Sequence, residues 1–519
     1  MKRRDFLKAS AVGGAAAATL STRARRASAV PAFGDVPADH ASVMLPKNKQ
    51  VGSILECFMY GGITPWEGFY CIPEYGSTTA RTWHKAYPND FANASIACGY
   101  DPANPFTAFA NDSSGRQIFL SPFLKQIIDR PDIVDRMRVV VNRHTLEPHE
   151  AAIPLTMSGK TLGSPSLASL GSHVGRYFLD HDVDNLHPSP FSYGFSIASS
   201  FVPNDNILTM LASGLHPGGA RPLHIKTDNA LRLNALLNRT AVGSLDDRSR
   251  YDALLQIYDQ QFRSRLKVGE KVLRAPRFGE LSAAANSVAH ASDIQAMLSA
   301  EYLTAVPGKG CFQRVGTAWN ASTVGPLQIE NTINNPYMAL RLATHLLTHE
   351  QFPAKHCMVV DTGLREADGG GGYDTHSETP FTQARNMNNF FGSMLPMINK
   401  PGEGNPDKLD LDKTMIILNM EFGRTPGLQG ANTGRNHWPY GYTQVYIGGP
   451  AQKGVYGVIP ESGQASTYTS PTENRIAALL AMGIWPFDSA SFSSSNVQGE
   501  TQEGPAVQSV LKRVLGVEV

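Results

Sequence analysis

Residues 358–360 read Met-Val-Val, 372–376 Gly-Tyr-Asp-Thr-His, 415–418 Met-Ile-Ile-Leu, 421–426 Glu-Phe-Gly-Arg-Thr-Pro and 434–438 Gly-Arg-Asn-His-Trp. Each apolar run has the length and composition of a buried strand, and a polar cluster stands just beyond it. Ligands of open α/β sheets bind beyond the carboxyl ends of the strands. An Asp, two His, a Glu and an Arg gathered there point to a site rather than a structural loop. Asp374 and His376 stand two apart and share one side of an extended chain. His437 joins them from a later loop. A carboxylate with two imidazoles suits zinc, and oxygen-richer variants suit manganese or calcium. Arg424 offers a planar fork for phosphate, sulfate or carboxylate. Glu421 is a ligand, a support for a histidine, or the counterion of Arg424. The glycine tract Gly369 to Gly372 reads equally as an anion nest, a lid hinge or plain disorder.

Working outward, residues 52–60 (GSILECFMY), 137–142 (MRVVVN) and 443–447 (TQVYI) are further strand candidates, with another possible at 223–226. The first runs into Gly61-Gly62, a pair that permits a sharp turn or a close backbone approach. The second runs into His144-Thr145-Leu146-Glu147-Pro148-His149-Glu150, followed by a helix over 151–158 closed by Gly159. That places His149 at a helix N-terminus, where the macrodipole lowers an imidazole pKa and free N–H groups favour an anion. Residues 71–115 read as a surface excursion or lid, 119–128 as a short helix, 164–179 as a helix and 181–225 as irregular. Residues 331–349, 381–398, 473–482 and 506–515 read as helices. Met387, Phe390, Phe391, Met394 and Met397 form a core-facing stripe on the second of these. Alternating strands and helices predict an α/β fold: three layers, α/β/α, a mostly parallel sheet with helices on both faces. One domain spans 30–519, with a helical insertion at about 246–305. The clusters at Gly61, 144–150, 374–376, Glu421 and His437 each follow a strand and are expected on one rim.

The chain carries a formal net charge of +1 and is 42% hydrophobic. Residues 1–29 form an export signal: Lys2-Arg3-Arg4-Asp5-Phe6-Leu7-Lys8 has twin-arginine order, an Ala/Gly-rich run follows, and Ala27-Ser28-Ala29 is a cleavage pattern. That segment holds seven Lys/Arg against one Asp, so the mature chain carries about −5, which argues against nucleic-acid binding. No later stretch is apolar enough to span a membrane. The partners expected are the twin-arginine translocase and an anionic ester, small or polymeric; the destination is the periplasm or cell envelope. Five widely spaced cysteines without a C-x-x-C exclude a zinc ribbon. Cys57 and Cys357 read as buried core residues.

The segments 372–376, 421–426 and 434–438, with Gly61-Gly62, Pro148-His149-Glu150-Ala151, Ser164-Pro165-Ser166-Leu167, Gly448-Gly449 and Val455-Tyr456-Gly457, resemble the signatures of an uncharacterised family. It is the twin-arginine-exported bacterial domain-of-unknown-function family "fifteen-oh-one", related to the alkaline phosphatase and sulfatase superfamily. The resemblance implies an alkaline-phosphatase-like fold and a metal-dependent hydrolase of phosphate or sulfate esters. It implies a divalent metal held by Asp374, His376 and His437, with Asn436 beside them. His149 would serve as nucleophile, base or further ligand, and Glu421 and Arg424 would complete the catalytic set, Arg424 holding the anion. Two positions depart from the family pattern: Thr64 stands in a slot that usually holds Asp, and Asn436 replaces the usual Asp before the histidine. An uncharged amide holds a divalent cation weakly, so the sequence also admits a catalytically inactive binding or envelope protein that keeps the fold.

Overall fold

The structure is a computed structural model. It describes residues 33–76, 105–164, 167–181, 191–196, 220–226, 336–363, 372–377, 379–428, 434–488 and 491–519, with a few short pieces between them. The export signal, the expected insertion at 246–305, most of the glycine tract, Cys98 and Cys311 lie outside the described residues.

The centre is an eight-stranded sheet. Its strands are β1 (Ser53–Met59), β2 (Met137–Asn142), β3 (Ser192–Ser196), β4 (Leu223–Lys226), β5 (His356–Asp361), β6 (Thr414–Asn419), β7 (Tyr442–Ile447) and β8 (Gly454–Tyr456). The spatial order is β8-β2-β7-β6-β1-β5-β3-β4. β1 lies between β5 and β6, parallel to both, and β5, β3 and β4 continue in parallel. β7 alone is reversed, antiparallel to β6 on one side and to β2 on the other, while β8 again runs parallel to β2. β1, β5, β6 and β7 are buried along their whole length. That is why they read as continuous apolar runs and not as alternating ones.

Helices cover both faces. Leu55, Cys57 and Met59 of β1 pack with α3 (Pro336–Thr348) and α4 (Thr379–Met394). Ile54, on the opposite face, packs with α2 (Leu170–His181), α5 (Pro471–Ala481) and α6 (Glu503–Val510). Phe58 meets Ile153 and Met157 of α1 (His149–Ser158). Glu56, in the middle of β1, is fully buried on that second face. Arg475 of α5 donates to its Oε1 at 2.6 Å, Asn419 to the same oxygen at 2.8 Å, and His356 Nε2 lies 3.3 Å from Oε2. Burial pushes the Glu56 carboxyl up, but the Arg475 charge and the His356 contact outweigh it and hold it at about 2.

The structure departs from the sequence reading at three places. β3, Ser-Tyr-Gly-Phe-Ser, lies in a stretch read as irregular; its small polar residues are all buried between β5 and β4. Residues 117–120 form the second strand of a hairpin with 107–111, where a helix from Phe119 was expected. The Ile-Phe-Leu alternation governs there, and the helix is confined to Lys125–Ile128 after a turn capped by Ser121. His437 does not follow a strand: it sits in a two-residue ribbon with Gly423–Arg424 and precedes β7. Because β7 is reversed, its start lies on the rim where the parallel strands end. Cys57 and Cys357 are buried free thiols, as is Cys71.

Candidate metal centre

The rim is organised around Gly61, two residues past β1. Its φ is +92°, and a Cβ there would stand 2.1 Å from the Asp374 nitrogen, so the Asp374 loop crosses directly over a position only glycine can fill. The Gly61 N–H donates to Glu421 Oε1 at 2.7 Å. Its carbonyl accepts from Arg424 Nε at 2.8 Å and also from Nη2. Glu421 and Arg424 therefore do not pair with each other. Each fastens the loop after β6 to the same glycine.

Both then reach into one cluster. Arg424 Nη2 donates to Asp374 Oδ1. Glu421 Oε1 accepts from His149 Nδ1 at 2.9 Å. Asp374 Oδ2 is 3.3 Å from His149 Nε2, off the line of a hydrogen bond. Asp374 Oδ1 is 3.1 Å from His437 Nε2 and 3.1 Å from His376 Nε2. The two Nε2 atoms of His376 and His437 are 3.2 Å apart. His437 Nδ1 donates to the Glu147 carbonyl at 3.0 Å. The ligand atoms of His149, Asp374 and His437 all lie within 4.8 Å of one another. His149 is stacked on Tyr60 (4.9 Å, 17°), and His437 on Phe422 (4.3 Å, 24°), which fixes both ring planes.

The electrostatics follow from this crowding. Burial raises the Asp374 carboxyl, but the three histidines in contact with it and the Arg424 charge reverse that and hold it well below the carboxylate range. Burial lowers the His149 imidazole, yet Asp374 and Glu421 outweigh it and carry it to about 9. The helix terminus was expected to depress this group; two carboxylates in contact override a fractional dipole charge. His437 is lowered, first by burial.

Arg424 is 0% exposed, its guanidinium turned to the Gly61 and Arg435 carbonyls and to Asp374. Its expected grip on a ligand anion has no opening here. His376 is the outermost histidine, its side chain 47% exposed. Asn436 is exposed, and what the structure fixes is its backbone: its carbonyl accepts from Thr425 N at 3.0 Å and its N–H donates to Thr425 Oγ1 at 3.1 Å. His144 is structural. It donates from Nε2 to the Glu421 carbonyl at 2.6 Å and accepts the Leu146 N–H, and burial lowers it to about 4. Thr64 is buried, its N–H facing Gln383. The sequence reading missed the ion pair of Glu67 with Arg435, 3.0 Å and 0% exposed on both sides. It anchors the ribbon that presents His437, since Arg435 also donates to the Thr425 and Pro426 carbonyls. The signal was Arg435 itself, standing two residues before the histidine.

Residues 132–486 match the family described as Protein of unknown function (DUF1501). The chain belongs to the DUF1501 family. Residues 1–19 match the twin-arginine translocation signal sequence, so this DUF1501 protein is exported through the twin-arginine translocase. No curated protein and no solved structure matches the chain. Among the described residues, no helix is long and apolar enough to cross a membrane. The family match spans α1, the Asp374 loop and the His437 ribbon, and so includes the whole cluster.

Proposed function

We propose that this DUF1501 protein is a metal-dependent hydrolase of phosphate or sulfate esters, resembling the alkaline phosphatase superfamily in fold and chemistry. One observation carries the reading. His149 and His437 each commit Nδ1 to a protein acceptor, so both Nε2 atoms are left to converge on the Asp374 carboxylate, where a bound ion would take the place of the proton that His149 otherwise carries. Orientation of a ligating imidazole by a hydrogen bond on its other nitrogen is the usual support of a metal site. The spacing fits as well. Ligands about 2.0–2.1 Å from a tetrahedral zinc lie about 3.4 Å from one another, and the Nε2–carboxylate separations are 3.3 and 3.1 Å. Glu421 Oε2 is fully buried without a hydrogen-bond partner, a further open acceptor at the same place. Zinc or manganese fits this nitrogen-rich set better than calcium, which takes oxygen ligands.

In this reading Asp374, His437 and His149 hold the ion, and His376 approaches from the open side. Such an ion polarises an ester oxygen and makes a water acidic. Glu421 fixes the His149 tautomer, and Arg424 steers the Asp374 carboxylate. The N-terminus of α1 lies at the same rim, where its dipole favours an anionic ester. Asn436, exposed and uncharged, favours one ion over two. The competing reading, an inactive envelope or binding protein, rests on that same residue. Elemental analysis of protein purified without chelator separates them: we expect about one divalent ion per chain, lost in Asp374→Ala, together with turnover of a phosphate or sulfate ester. A metal-free wild type whose melting temperature no divalent ion raises would sink the hydrolase.

A further inference from the structure

We infer that the Tyr60 hydroxyl is a further catalytic group, donating a hydrogen bond to the oxyanion of the phosphate or sulfate ester. The inference rests on the hydrolase reading and supplies the anion grip that the inward-turned Arg424 does not give. Tyr60 stands between β1 and Gly61, and both its backbone groups are fixed. Its N–H donates to the Asp361 carbonyl at 3.0 Å, and its carbonyl accepts from Tyr373 N at 2.9 Å. Its ring lies flat on His149 and belongs to a small core with Ile153 and Met157 of α1 and Met358 and Val360 of β5. The residue is 4% exposed, so the ring has one place to be.

That packing explains the ring and leaves the hydroxyl over. A tyrosine hydroxyl in a buried setting usually finds a partner. Tyr373 gives its own to Asp361 Oδ2 at 2.8 Å, and Tyr70 to Asp112 Oδ2 at 2.6 Å. Among the described residues the Tyr60 hydroxyl has no partner, and it is not sealed from solvent. The charges that act on it are those of Glu421, Asp374, Glu150 and Arg424, which places it at the cluster and the first turn of α1. None of those carboxylates accepts a hydrogen bond from it. A phenol is a donor at neutral pH, and an anionic ester entering among three carboxylates needs donors. A donor held still beside a metal-ligating imidazole acts where the oxyanion gathers charge, without reorganising during the reaction. Tyr60 keeps its proton throughout.

The test compares the metal-loaded parent with Tyr60→Phe and Tyr60→Leu. Calorimetric titration with inorganic phosphate and with sulfate reads oxyanion binding without turnover; p-nitrophenyl phosphate and p-nitrophenyl sulfate read hydrolysis. Phe keeps the ring on His149 and breaks no protein hydrogen bond, so metal content and melting temperature should match the parent. We expect Tyr60→Phe to weaken the oxyanion that the parent binds, and to lower kcat/KM on the matching ester, each by about 10- to 100-fold, the worth of one hydrogen bond to a charged group. Tyr60→Leu, which also strips the ring from His149, should weaken the metal as well. A Tyr60→Phe variant that binds and turns over as an active parent does overturns the inference and leaves the hydrolase reading standing; the hydroxyl then meets only water. Loss of metal in Tyr60→Phe also overturns it, because the hydroxyl would then support the cluster and not the ester. A parent that binds neither oxyanion and turns over neither ester removes both readings.

Discussion

Gly61→Ala is the sharpest perturbation of the rim. The methyl would lie 2.1 Å from the Asp374 nitrogen and 2.5 Å from its Cα. Both neighbours are backbone, so no rotamer change relieves them. Overpacking costs about 1–3 kcal/mol where side chains give way, and a left-handed backbone about 1–2 kcal/mol more for a residue with a Cβ. With backbone as the obstacle we expect the upper end, about 4 kcal/mol or more. Gly115→Ala is the internal control. Its φ is +85°, nearly the same, yet nothing lies within 4 Å of the added carbon, so only the conformational cost of about 1–2 kcal/mol applies. Urea denaturation followed by tryptophan fluorescence gives both values, and elemental analysis on the same samples gives metal content. The Asp374 loop must move in Gly61→Ala, so the ion should be lost there and retained in Gly115→Ala. Equal midpoints and equal metal content would refute the claim that Gly61 is where the loops of the cluster are joined.

Further predictions concern the supports of the site and the core. Glu421→Gln removes the charged acceptor from His149 Nδ1 and should weaken metal binding about 10–100-fold, read by competition with a chromogenic chelator; unchanged affinity would make Glu421 structural. Arg435→Met leaves Glu67 buried and unpartnered and should cost about 3–5 kcal/mol in urea denaturation, whereas the double variant Glu67→Gln/Arg435→Met should recover part of the loss. Glu56 is held at about 2, below its ordinary 4.5, so the unfolded chain takes up its proton first as pH falls. Its contribution, about 3 kcal/mol, is complete above the unfolded value and drains away between about pH 5 and 2. Glu56→Gln should therefore be less stable at neutral pH and show a flatter acid limb; parallel acid limbs would disprove the assignment.

The sheet was legible wherever a strand is buried on both faces by β-branched and large apolar residues, as in β1, β2, β5 and β6. It was illegible in β3, where Ser192, Gly194 and Ser196 replace them; α2 packs so closely that a Cβ at Gly171 would meet Ser192 Oγ at 2.4 Å. Tertiary fit, not propensity, selects those residues. Asp374, His376 and His437 were nameable from residue type, and the structure brings them within hydrogen-bonding range. The role of Arg424 was not readable, because spacing does not tell whether a guanidinium turns outward to solvent or inward to a glycine carbonyl. Nor does sequence disclose the reversal of β7, which depends on its neighbours β6 and β2 and alone explains how a residue preceding a strand reaches the same rim.

Residues 149, 374 and 437 meet only once β2, β5 and β7 hold their places, and β7 slots between two strands already widely separated along the chain. A nascent polypeptide has no such cluster, and neither does a chain truncated before β7. The twin-arginine route carries folded cargo, so the pocket is finished on the cytoplasmic side. Under the metal reading proposed above, the ions it first encounters are those of the cytosol, and their relative abundance there, rather than at the destination, would decide which one is carried out.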